Sequence, residues 1–269
     1  MTTKQIISDA ALVEQFTKQA EKELSKPVPV EVKTIAPDNL TVDLPGGFIN
    51  KEGSLVKTAT VRELNGADEE AIAKAGGPGK ALSVILQKGL VLLGDESVSK
   101  NDLDSLLSGD RDAIVVGIRK ATFGSIIEFN VFCNSCSATS VIKIDLDKDV
   151  PIKTLSNSDD RVWDLETKLG TITVCLPNGL VQKKLMESND KTVAELSTIL
   201  LTGCITKING SPTVGTDAAL RLGISDRETI GEEISERSPG PRLSEVTKAC
   251  EACGKEINIP LSLAALFRL

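Results

Sequence analysis

The side chains of this chain best placed to do chemistry are four cysteines in two Cys-x-x-Cys pairs, Cys133/Cys136 and Cys250/Cys253. One such turn sets two sulfurs about 3.5–4 Å apart, an edge of the tetrahedron defined by Zn–S bonds of about 2.3 Å, and two turns complete it. Four thiolates leave no open coordination position, so the expected role is one structural Zn2+ per chain, with Cys133, Cys136, Cys250 and Cys253 as ligands. A redox dithiol is the competing reading. It needs a helix N-terminus or a cation to lower a thiol pKa, whereas Cys133 and Cys250 each end a predicted strand with no helical pattern behind it. A site left as bare thiols is the remaining alternative. Cys175 and Cys204 lie in apolar runs and read as buried thiols.

Other chemistries lack their parts. With no His there is no triad, and no Gly-x-Ser-x-Gly elbow occurs. The run Gly76-Gly-Pro-Gly-Lys80-Ala81 resembles a phosphate loop but has Lys74 at the first Gly position and Ala81 where a hydroxyl would hold magnesium. It reads as a helix start. Asp159-Asp160 and Glu232-Glu233 have no apolar surroundings to make acid/base dyads of them and read as solvated faces. No enzyme activity is expected. A net charge of −7, one Trp and no Tyr argue against a nucleic-acid partner. No stretch approaches the roughly 18 apolar residues of a membrane span, and the first residues do not resemble a signal peptide, so a chain kept in the cytosol during its synthesis is expected. In that reducing compartment paired cysteines are metal ligands more often than disulfides.

The pairs sit inside a longer pattern that occurs twice. Thr58-Ala-Thr-Val-Arg-Glu-Leu-Asn-Gly66 recurs 113 positions on as Thr171-Ile-Thr-Val-Cys-Leu-Pro-Asn-Gly179. Leu82-Ser83 and Gly89 align with Leu196-Ser197 and Gly203 at an offset of 114, Asp110-Arg111, Ile118 and Gly124 with Asp226-Arg227, Ile234 and Gly240 at 116, and the cysteine pairs at 117. Small slips between matched blocks are what loop insertions leave in an internal repeat.

Each copy is predicted to run from a strand (55–64; 171–176) through an Asn-Gly turn to helices (80–92; 193–205). A further helix (111–120; 227–236) is capped by Ser108 or Asp110 and by Ser225 or Asp226, and a hairpin whose turn holds the cysteines closes each copy. Residues 8–25 read as a short amphipathic helix and 26–37, with three prolines, as an extended arm that packs on something else. The expected fold is α+β: a helix and arm over 1–47, a first repeat over 48–149 and a second over 150–269, joined by a shared zinc-ribbon-like site.

Val61-Arg-Glu-Leu-Asn-Gly66, Gly109-Asp-Arg111, Thr122-Phe-Gly124, Cys133-Asn-Ser-Cys136 and Cys250-Glu-Ala-Cys-Gly254 together resemble the baseplate hub and tail-tip proteins of tailed bacteriophages, over about residues 50–269. The second copy departs from this with Ser-Pro-Gly240 where the first has Thr-Phe-Gly124. The resemblance implies a non-enzymatic virion part, assembled in the host cytoplasm. It would be present in multiple copies around the tail axis, with tail tube, hub or wedge proteins as partners and neither nucleic acid nor membrane among them. A tail assembly chaperone, or a cytosolic bacterial zinc-ribbon adaptor, is the alternative.

Overall fold

A computed structural model describes residues 39–188 and 190–267. The helix expected over 8–25 and the arm over 26–37 lie outside them. The described residues form an α+β architecture of small antiparallel sheets and short helices.

The first sheet has the order β1 (Leu40–Ile49), β2 (Leu55–Val61), β3 (Leu90–Leu93), β4 (Glu96–Ser97). β1 crosses the expected boundary at residue 47, because the alternation Leu40, Val42, Leu44 lets it pair with β2 from its first residue, Leu40 opposite Val61. Between β2 and β3 run α1 (Gly66–Ala73) and α2 (Pro78–Gly89). The Asn65-Gly66 turn is itself the helix start: the Asn65 side chain accepts from the amides of Ala67 and Asp68, and Asp68 reaches back to the Asn65 amide. After β4 come α3 (Lys100–Ser105), α4 (Ser108–Phe123) and the hairpin β5 (Ile126–Phe132) with β6 (Thr139–Asp145).

The same order of elements follows in the second half. β8 (Val162–Thr167), β9 (Gly170–Cys175), β10 (Ile205–Ile208) and β11 (Ser211–Pro212) form the second sheet. The helices are α5 (Gly179–Met186), α6 (Val193–Cys204), α7 (Asp217–Arg221) and α8 (Ile224–Arg237). Asn178 caps α5 as Asn65 caps α1. The ladders agree in register: Val61 pairs with Leu90 and Val174 with Ile205, Ala59 with Leu93 and Ile172 with Ile208. This matches Leu86 with Leu201, both fully buried, and places the helices 115 residues apart, so aligning Leu82-Ser83 with Leu196-Ser197 is one residue out. Both helices also stop earlier than expected, because the chain passes directly from Gly89 and from Cys204 into a strand.

The second hairpin, β13 (Thr247–Ala249) with β14 (Glu256–Asn258), is shorter than the first. Pro260 has no amide to donate, and the tail turns into α9 (Leu263–Phe267). Both hairpins belong to one core. Ile127, Ile142 and Ile144 of the first, with Val246, Ile259, Leu261, Leu266 and Phe267 of the second hairpin and tail, pack with Ile85, Ile114 and Ile118 of α2 and α4. The second half keeps only a small core around Ile172, Leu201, Cys204, Ile230 and Ile234.

The halves meet at the start of α4. The expected caps, Ser108 or Asp110 and Ser225 or Asp226, all lie inside their helices, which begin at Ser108 and Ile224, after Leu107 and Gly223. Asp110 is fully buried and receives the amides of Gly46 (2.7 Å) and Gly47 (3.3 Å), whose carbonyls accept from Arg161 at 2.8 and 2.6 Å. Burial outweighs these bonds and pushes the Asp110 carboxyl up to about 6. Beside it β12 (Gly240–Pro241) pairs with β7 (Ile152–Lys153), and a Cβ built on Gly109 would collide with Pro239 O. Glycine at 109 is what lets the backbones touch.

Two outcomes follow. Gly109→Ala must push the halves apart and lowers stability in urea unfolding by about 1–3 kcal/mol or prevents folding; a variant as stable as the wild type contradicts the close contact. Because the folded-state pKa of Asp110 is raised, its contribution is complete below the ordinary carboxylate pKa and is lost as pH rises through about 6. Asp110→Asn keeps an oxygen for the Gly46 amide and removes the charge. Relative to the wild type it therefore gains on the order of 1 kcal/mol between pH 5 and pH 7, and parallel pH profiles would contradict this.

Candidate metal centre

Each cysteine pair lies in the turn of a hairpin, and the two turns share one hydrogen-bond pattern. The Cys133 amide donates to Ala138 O (2.9 Å) and the Ser137 amide to Cys133 O (2.8 Å). In the second turn the Cys250 amide donates to Lys255 O (2.8 Å) and the Gly254 amide to Cys250 O (2.8 Å). The flanking strands repeat the register as well: Phe132 faces Thr139 as Ala249 faces Glu256. The residue after the second cysteine is left-handed in both, Ser137 at φ 60° and Gly254 at φ 73°.

The turns meet. Cys133 Sγ lies 3.8 Å from Cys253 Sγ and Cys136 Sγ lies 3.7 Å from Cys250 Sγ, and all four sulfurs fall within 4.8 Å of one another. A regular tetrahedron of Zn–S bonds of about 2.3 Å has edges of about 3.8 Å, so the spacing suits an ion of that size, and the four cysteines could hold one. The sulfurs are too far apart for disulfides, which need about 2.05 Å. Cys133 and Cys250 are buried and Cys136 and Cys253 exposed, which places the cluster at the protein surface with one side toward solvent.

Amides are already aimed at the sulfurs. Those of Ser135 and Cys136 bond to Cys133 and draw its thiol down to about 6. Cys136 receives the Ala138 amide, but the thiols of Cys253, Cys133 and Cys250 and its desolvation carry it the other way, to about 12. Thiolates packed this closely cannot all ionise without a cation among them.

The structure brings all four predicted ligands to one point. Of the other two cysteines, Cys204 is fully buried in the smaller core and Cys175 half-buried, and burial raises both thiols. The groups that align the site were not evident in sequence. Lys248 of the second hairpin pairs with Asp149, which follows the first, at 2.7 Å. Asp149 loses solvation, yet the hydrogen bond from Lys248 holds its carboxyl below the ordinary range. Nothing in Gly109-Asp-Arg111 announces the partner of Asp110 at Gly46.

The model of the family described as T4 bacteriophage base plate protein matches residues 54–214. The chain belongs to this family. Its members are phage baseplate proteins, which makes this chain a structural baseplate component of the virion tail. The matched segment holds Cys133 and Cys136 but ends before Cys250 and Cys253, so membership in the baseplate family does not by itself supply the complete set of four sulfurs. No curated protein and no solved structure matches the chain.

The left-handed residues give a test that leaves the sulfurs in place. Gly254→Val puts a β-branched side chain in the left-handed region, where an ordinary residue costs about 1–2 kcal/mol. The second knuckle then loosens and thermal unfolding shifts down. The same change at Gly210, left-handed in an exposed turn remote in sequence from the four clustered cysteines, leaves binding of added Zn2+ as in the wild type while Gly254→Val weakens it. Equal metal affinity in the two variants would contradict the knuckle geometry.

Proposed function

We propose that this baseplate component is a non-enzymatic scaffold whose two halves are copies of one unit. A structural zinc bound by Cys133, Cys136, Cys250 and Cys253 clasps their hairpins together. The observation that carries the reading is the meeting of sulfurs from two hairpins far apart in sequence at tetrahedral spacing, 3.7 and 3.8 Å. The matched ladder registers and the bond-for-bond equivalence of the knuckles support duplication. The halves correspond to β1 through β6, followed by β8 through α9, preceded by the segment of residues 1–38 that we assign to contacts with neighbouring chains.

Zinc here supplies no reaction. A structural site of this kind contributes on the order of 10 kcal/mol of folding free energy, comparable with the whole net stability of a domain. It suits a part that must hold its shape while tail, hub or wedge proteins assemble around it. We assign the chain to the hub region, in several copies around the tail axis, and to the host cytoplasm before assembly.

Two measurements test this. Protein purified without chelator contains about one zinc per chain, and Cys250→Ser removes it and lowers the unfolding temperature; metal-free protein of unchanged stability ends the clasp. Mass spectrometry of purified particles finds the chain in stoichiometric amounts. Its absence from particles that require it for assembly favours a chaperone.

A further inference from the structure

The two halves share an order of elements but are not equally covered. In the first half, α5 lies across α2, α3 and α4. Gly179 sits where a Cβ would strike the Arg111 guanidinium and Leu103 O. Gln182 accepts from Arg111 Nε and donates to Asp112 Oδ1, both at 2.7 Å. Met186 packs beside Gly79. The backbone joins in, with the Ser108 amide on Pro177 O and the Gly179 amide on Leu106 O, each at 2.9 Å.

Among the described residues, the corresponding surface of the second half, on α6, α7 and α8, carries no such helix. The correspondence is direct: Arg227 donates to Ala219 O (2.8 Å) as Arg111 donates to Leu103 O (2.7 Å). Yet the residues matching Asp104 and Ser108 are Leu220 and Ile224, which are 63% and 78% exposed, and Val193 at the start of α6 is 84% exposed. With Val214 at 90%, these are the four most exposed large apolar side chains among the described residues. An open groove of about 470 Å3 between α6 and α8 begins at Val193 and is lined by Leu196, Leu200 and Arg227, with Leu185 of α5 at its edge. An apolar patch of this kind on a structural protein marks a contact surface.

The helix that matches α5 in the order of elements is α1. The residues of α5 that make the contact, Gly179, Gln182 and Met186, correspond to Gly66, Glu69 and Ala73, spaced i, i+3, i+7 on one helix face. All three are exposed, and a Cβ on Gly66 would meet nothing within 4 Å. Charges are exchanged between the two settings. In the occupied site Lys183 lies near Asp104. In the bare one Asp104-Ser105 becomes Leu220-Arg221, and Lys183 becomes Glu70. Glu69 would reach Arg227 as Gln182 reaches Arg111, which has to offset the repulsion from Glu228 in the place of Asp112.

We propose that the bare face of α6, α7 and α8 binds α1 of a second copy of this chain, head to tail, repeating between chains the contact that α5 makes within one. This rests on reading the halves as copies of one unit. Such a heterologous contact leaves one free face at each end, so it builds a ring where the rotation closes and a filament where it does not.

The test uses the full metal-loaded chain and light scattering after gel filtration. The wild type, up to on the order of 100 µM, forms species larger than its 28.5 kDa monomer. Gly66→Trp on the helix side and Ile224→Asp on the receiving side each leave a monomer with unchanged unfolding temperature. Mixed in equal amounts they give a two-chain species and nothing larger, because one good helix face and one good receiving face remain. Glu70→Arg and Val193→Asp serve as a second pair at exposed positions if either first variant folds poorly. A wild type that stays monomeric, variants that associate like the wild type, or a mixture that stays monomeric overturns the proposal. A monomer that still holds one zinc would sink this interface while leaving the clasp standing.

Discussion

Four sulfur atoms within 4.8 Å of one another impose the strongest constraint on this fold. The two pairs are separated by most of the second half, so the chain must leave the first knuckle, build a second sheet and four helices, and return. The return is fixed by packing as much as by sulfur. Val246, Ile259, Leu261 and Phe267 fill the core of the first half, and Ile152-Lys153 zips to Gly240-Pro241. The second hairpin thus serves the first half's core, and a cation among the thiols would lock an arrangement that burial already favours.

Paired chemistry and local periodicity made much of this legible in sequence. Cys-x-x-Cys twice, at equivalent places, points to the cysteine cluster, and alternating Ile and Val to the hairpins. Contacts that depend on a distant partner were hidden. Asp110 looked like a helix cap because an acid near a helix start usually is one, while the backbone of Gly46 and Gly47 that it holds lies in a bulge of β1. Asn65-Gly66 reads as a turn because that dipeptide favours one; that Asn65 also caps the helix behind it depends on Asp68 reaching back to its amide.

Internal similarity was visible, its register less so. Leu and Ile recur at helical spacing in both α2 and α6, so several alignments score alike by residue type. Only the strand ladders, where each residue has one partner, separate an offset of 114 from one of 115. The halves then diverge in use: α4 is wrapped by hairpins, tail and α5, whereas α8 keeps polar residues outward and two buried isoleucines inward.

The central claim is that the sulfurs of two distant knuckles share one ion. X-ray absorption at the zinc edge of the purified chain reads the ion's neighbours directly. A shell of four sulfurs at about 2.3 Å is what the account predicts. A shell containing oxygen or nitrogen in place of one knuckle's sulfurs, or no zinc at all, would contradict it.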